Sequence, residues 1–127
     1  MDADEREFLV TRVVGALFEV SNTLGAGFLE KVYERALVIE LNERGMRAVA
    51  QPVLAIHYKG VSVGNYSPDI LVEDEILIEL KCADALVKEH VAQCINYLRA
   101  TDRKIALLVN FQRPRLEWKR VVLNLSG

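Results

Sequence analysis

The sequence predicts a mixed α/β domain in which helices pack on a sheet, and three observations support it. Apolar residues recur at spacings of three and four in three stretches. They recur at spacing two, or in unbroken runs, in the middle of the chain and at its end. Glycine or charged clusters separate these stretches. At 127 residues, with 51% hydrophobic and 27% charged side chains, the chain has the composition of a folded protein and the length of one unit. Residues 1–127 are therefore read as a single domain, free of repeats, low-complexity tracts or linkers.

The first helix is read over 6–22, from Leu9, Val10, Val13, Val14, Leu17, Phe18 and Val20. Leu24-Gly25-Ala26-Gly27 interrupts it, and a second helix follows from Phe28 to Glu43. Arg44-Gly45 closes that helix with a base in the last turn and a glycine just beyond. The period then falls to two. Val53, Leu54, Ile56 and Tyr58 suggest a strand, which Lys59-Gly60 turns into Val61–Tyr66. Ile70–Val72 and Ile76–Lys81 are two more apolar runs around Glu73-Asp74-Glu75. Helical spacing returns over 84–100. Lys104–Phe111 reads as a strand buried on both faces, and Leu116–Leu125 as a last strand after the turn Arg113-Pro114-Arg115. The expected order is ααβββαββ.

Composition excludes several classes. No run of 18 apolar residues exists, so a membrane span is not expected. The start, Met1-Asp2-Ala3-Asp4-Glu5-Arg6-Glu7, is acidic and unlike a secretory leader. Cys82 and Cys94 lack metal-ligand spacing and read as free thiols, so a reducing cytoplasm is the expected location. The net charge of −2 argues against coating nucleic acid by bulk charge. That charge is uneven. From Arg99 onward seven bases face two acids, a net +5, and residues 1–98 carry −7. The basic end is either a set of solvated strand charges or a polyanion footprint.

The most informative segment is Ser67-Pro68-Asp69-Ile70-Leu71-Val72 with Ile76-Leu77-Ile78-Glu79-Leu80-Lys81. Asp69, Glu79 and Lys81 lie in or beside strands that otherwise read as core, and a buried unpaired charge costs several kcal/mol. Glu79 and Lys81 are two apart and share a face, roughly 6.5–7 Å from each other along the strand. With Glu73, Asp74 and Glu75 as a three-residue loop, Asp69 stands opposite Glu79, and Ile70, Val72, Ile76, Ile78 and Leu80 share the other face. A two-residue loop would set Val72 against Glu75 and Asp69 against Ile78. Burial selects the first register. Two carboxylates opposed across about 4.5–5.5 Å repel unless a cation lies between them, and a hard divalent ion resolves the conflict. A structural ion-pair cluster in the sheet is the alternative.

Pro68-Asp69, nine residues, then Glu79-Leu80-Lys81 resembles the PD-(D/E)xK signature of the restriction-endonuclease-like nuclease superfamily. Gly27-Phe28-Leu29-Glu30-Lys31-Val32-Tyr33 is similar to the motif that names the GxxExxY proteins, a small branch of it. Gln93-Cys94-Ile95-Asn96-Tyr97 resembles the QxxxY motif of RecB-type members. The likeness covers residues 8–123. Ser21-Asn22 stand where many GxxExxY proteins have a histidine before the glycine turn, and Ala26 where proline is usual.

The resemblance implies a restriction-endonuclease-like core and a Mg²⁺- or Mn²⁺-dependent nuclease acting on nucleic acid, DNA in the first instance. Asp69, Glu79 and the Leu80 carbonyl would bind the metal, Lys81 would orient the attacking water or stabilise the transition state, and Glu30 would complete the acidic shell. Gln93 and Tyr97 would hold the site or contact DNA. Taken alone, Glu30 is equally a solvated acid in a first helical turn, and Gln93–Tyr97 an ordinary helical pair. Tyr33 reads as core packing with a bonded hydroxyl. His57 reads as a half-exposed strand residue, and His90 lies near Gln93 on the same helix without a motif behind it. Cys82 has no base to activate it. Small superfamily members often dimerise, so a homodimer is expected, with a partner protein as another source of specificity. The alternative function is a non-catalytic accessory module that keeps the fold and works through a protein or nucleic-acid partner.

Overall fold

The computed structural model describes residues 1–123. Its elements are α1 (Ala3–Leu24), α2 (Glu30–Glu43), β1 (Ala48–Ala50), β2 (Leu54–Tyr58), β3 (Val61–Tyr66), β4 (Ile70–Val72), β5 (Ile76–Lys81), α3 (Lys88–Thr101), β6 (Ile105–Asn110) and β7 (Glu117–Val122). Five strands form one sheet in the order β1-β4-β5-β6-β7, and β2 and β3 form a separate hairpin. Only β5 and β6 are parallel among the described strands, with α3 as the crossover between them.

Two cores sandwich the sheet. On one face α1 and α2 lay Leu9, Val13, Leu17, Leu37 and Leu41 against Ile70, Val72, Ile76, Ile78 and Leu80. On the other, Cys94 and Leu98 of α3 and Tyr66 of the hairpin cover Leu71, Leu77, Ala106 and Leu108. The sheet strands β4, β5 and β6 are buried almost throughout, which explains their unbroken apolar runs.

The structure corrects the expected order. Five strands lie between α2 and α3, one more than the four apolar runs read there and two more than the expected order counted. Ala48-Val49-Ala50 shows neither length nor alternation, yet it pairs antiparallel with β4 as an edge strand. α1 starts at Ala3 because Asp2 caps it. Asp2 Oδ1 accepts the Glu5 N–H at 2.8 Å and Glu5 Oε1 accepts the Asp2 N–H at 3.4 Å, so the acidic first residues are a capping box. α3 starts at Lys88 instead of 84. The preceding loop is held open: Asn110 bonds both the N–H and the carbonyl of Ala83, and Glu117 accepts the Leu86 N–H. The last strand is β7, 117–122, and the expected extension through Asn124 and Leu125 lies outside the described residues.

The breaks between helices fall where expected. Gly25 and Gly27 take φ of +72° and +107°, which an L side chain adopts only under strain. The Tyr33 hydroxyl pins that turn, donating to the Gly25 carbonyl at 2.6 Å and accepting the Phe28 N–H at 3.2 Å. At the other end of α2, Met46 N–H bonds Leu41 O and Gly45 N–H bonds Asn42 O, a Schellman closure with Leu41 and Met46 both buried.

Candidate active site

The site forms where β4 begins and β5 ends. Glu73, Asp74 and Glu75 make the turn between them, and the register pairs Ile70 with Ile78, Leu71 with Leu77 and Val72 with Ile76. One step further out, Asp69 stands opposite Glu79. Glu79 then points to the face covered by α3 and the hairpin, since Ile78 and Leu80 belong to the opposite core.

Proline at position 68 gives this end of the hairpin its chemistry. Carried outward beyond the paired residues, the register would set Leu80 against Pro68, which has no N–H to give. The Leu80 N–H donates to Asp69 Oδ2, at 2.7 Å. The Leu80 carbonyl, on the same edge of β5, is left without a ladder donor.

Asp69 is held from a second side. Gln51, in the bend after β1, donates its backbone N–H to the Asp69 carbonyl at 3.0 Å and its side-chain amide to Asp69 Oδ1 at 3.2 Å. The same amide nitrogen donates to Glu34 Oε2 at 3.1 Å, and Glu34 is buried and paired with Lys31. Gln51 sits at φ +53°, an uncommon conformation for a residue with a side chain.

Glu79 is 8% exposed, and its Oε1 accepts a hydrogen bond from the Tyr66 hydroxyl. Burial pushes its carboxyl up to about 7, and the adjacent Asp69 charge adds to that rise. The Tyr66 hydrogen bond and the Lys81 charge oppose it. Asp69 and Glu79 therefore converge on one space, with Lys81 close enough to act on both Glu79 and Glu30.

Glu30 is the first residue of α2. Burial raises its carboxyl, Asp69 and Glu34 raise it further, and Lys81 lowers it, so Glu30 faces the same cluster from the helix side. Tyr97 is half-buried on α3 and feels the Glu79 charge, while Gln93, one turn earlier, is exposed. The structure thus brings Asp69, Glu79, Leu80, Lys81, Glu30 and Tyr97 to one end of the sheet, with Gln93 at the margin. His90 is occupied elsewhere: its Nδ1 accepts the Val87 N–H at 3.1 Å and caps α3. His57 is exposed on the hairpin.

Sequence reasoning missed Tyr66, Gln51 and Glu34. Tyr66 carried one faint signal, a phenol ending a strand three residues before Asp69. Gln51 carried none, because its contacts depend on β1.

Among the described residues, no three His, Cys, Asp or Glu side chains gather closely enough to hold a metal ion by themselves. Asp69, Glu79 and the Leu80 carbonyl, were they to hold an ion, would offer it hard oxygen ligands. That set suits an ion such as Mg²⁺, which takes one or two carboxylates and keeps several waters. Burial, with the Asp69 charge adding to it, raises the Glu79 carboxyl, and a cation there would favour its charged form.

The sequence matches the profile of the PD-(D/E)XK nuclease superfamily over residues 7–121. The chain belongs to that superfamily, whose members generally use divalent metals. Its sheet and flanking helices are a restriction-endonuclease-like core. The crystal structure of SSO0001 aligns with a TM-score of 0.55 at 18% identity, covering 76% of this chain and 50% of that one. This chain thus spans about half the length of SSO0001. LHK-Exo in complex with dAMP aligns with a TM-score of 0.51 at 16% identity, covering 86% and 76%. Another structure of LHK-Exo, an alkaline exonuclease from Laribacter hongkongensis, gives 0.49 at 16% identity, covering 93% and 82%. At these identities the likeness is one of fold. No curated protein matches the sequence.

Proposed function

We propose that the protein is a Mg²⁺- or Mn²⁺-dependent nuclease that hydrolyses phosphodiester bonds of DNA, of the GxxExxY branch of its superfamily. The observation behind this reading is the convergence of Asp69 and Glu79, with Lys81 on the same strand face as Glu79. Asp69, Glu79 and the Leu80 carbonyl would hold the divalent ion, with Glu30 adding negative charge from the start of α2. When bound, the ion supplies a Lewis acid that lowers the pKa of water and spreads charge from the phosphate oxygens. Lys81 offers a fixed cation with N–H donors toward the attacked phosphate, stabilising the charge that builds during in-line displacement. Gln51 and the Leu80 N–H fix the rotation of Asp69, so the site is organised before substrate arrives.

Substrate selection would come from a second copy of the chain or from a partner protein, as a domain of this size presents little surface beyond the catalytic end. The test is cleavage of single-stranded, duplex and branched DNA, and of RNA, with Mg²⁺, with Mn²⁺ and with chelator. Metal-dependent cleavage of DNA that Asp69→Asn abolishes is expected. Cleavage that survives chelation, or Asp69→Asn equal to the wild type, would overturn the assignment.

A further inference from the structure

We infer that Tyr66 is a positioning residue for Glu79, and that Tyr97 acts on the site through Tyr66 instead of touching substrate. The inference rests on reading Glu79 as a metal ligand.

The β2–β3 hairpin is largely exposed, and β3 buries one residue, Tyr66, at the end nearest the site. Packing alone would be met there by an apolar side chain. A buried phenol needs a hydrogen-bond partner, and Tyr66 finds it in Glu79 Oε1. That bond fixes the rotation of the carboxylate and leaves Oε2 for whatever Glu79 and Asp69 share.

Tyr66 is in turn clamped. Its ring stacks on that of Tyr97, with centroids 3.7 Å apart and planes 16° from parallel. Tyr97 is set by α3, whose Leu98 and Cys94 are locked in the core beneath. The chain of contacts runs from α3 through Tyr97 and Tyr66 to Glu79. Outer-layer partners of this kind orient metal ligands elsewhere, and their loss typically weakens metal binding about 10–100-fold. Asp69 has a parallel support from α2 through Glu34 and Gln51. Each carboxylate is therefore braced by a different helix through one intermediate side chain.

The experiment is calorimetric titration of Mn²⁺ into the full chain, with DNA cleavage measured over a range of metal concentrations. Tyr66→Phe keeps the ring stack and loses the hydroxyl. It should weaken metal binding by about 10-fold or more, with kcat largely recovered at saturating metal and KM for DNA unchanged. Tyr97→Leu should weaken metal binding as well, and Tyr97→Phe should restore it, because the stack and not the hydroxyl matters. Wild-type metal affinity in Tyr66→Phe would overturn the inference. So would a Tyr97→Phe variant with raised KM and unchanged metal affinity, the signature of a substrate contact. A wild-type protein that binds no metal would overturn the ligand assignment itself, and this inference with it.

Discussion

Glu79 shows how the site is built against its own stability. Its carboxyl rises from an ordinary 4.5 to about 7, chiefly through burial. Between those pH values the folded protein holds a proton that the unfolded chain has released. In metal-free protein, stability from this group is therefore full below about pH 4.5 and falls as pH rises to 7, by roughly 3 kcal/mol. Glu79→Gln keeps an oxygen for Tyr66 and removes the charge. We expect it to melt well above the wild type at pH 8 in chelator and close to it at pH 4, while losing metal binding. A difference in melting temperature that does not change with pH would contradict the account. At this scale Asp69, Glu79 and Lys81 were legible, because charges in apolar strands demand partners and one register brings them together. Tyr66 and Gln51 were not: their neutral side chains break no apolar pattern, and their partners are set by tertiary contacts.

Among the elements, the strand β6 and the loops at its end do most to present Lys81. Lys81 pairs with Asn110 across the parallel β5–β6 ladder, and Asn110 is fully buried. Its side chain bonds Ala83 N–H at 3.2 Å, Ala83 O at 2.8 Å, Gln112 N–H at 3.1 Å and Glu117 Oε1 at 3.1 Å. One residue thus closes the loop that follows β5. Asn110→Ala strands several of these groups and should lower stability by about 1–3 kcal/mol in denaturant unfolding. It should also reduce cleavage by loosening 82–86. Unchanged stability would mean that the loop holds itself. Periodicity revealed the three helices and the long strands, because each buries a stripe or two faces. It missed β1, whose three residues owe their strand state to β4, and it placed the start of α3 too early, because the bonds from Asn110 and Glu117 are invisible in spacing.

Over the whole molecule, the basic end of the sequence does not fold into one surface. Arg103 and Lys104 precede β6 at the end of the sheet away from the site, and Arg103 is paired with Asp74. Arg120 is paired with Glu7 of α1. Arg113 and Arg115 lie exposed on the loop after β6, at the same end as Lys81. Of these bases, Arg113 and Arg115 are the pair placed beside Lys81 where a polyanion could reach both. If DNA is the substrate, replacing both arginines by alanine should weaken binding for all sequences and shallow the slope of log affinity against log salt by about 2. An unchanged slope would place the phosphates elsewhere. Among the described residues no helix is long and apolar enough to cross a membrane.

The central claim is that Asp69, Glu79 and Lys81 form a nuclease site, not an ion-pair cluster. The most direct measurement pairs DNA cleavage with metal-induced thermal stabilisation in the wild type and Lys81→Ala. The account predicts that Lys81→Ala is still stabilised by Mg²⁺ or Mn²⁺ and loses cleavage. Equal cleavage by both proteins, or a wild type that metal neither stabilises nor activates, would contradict it.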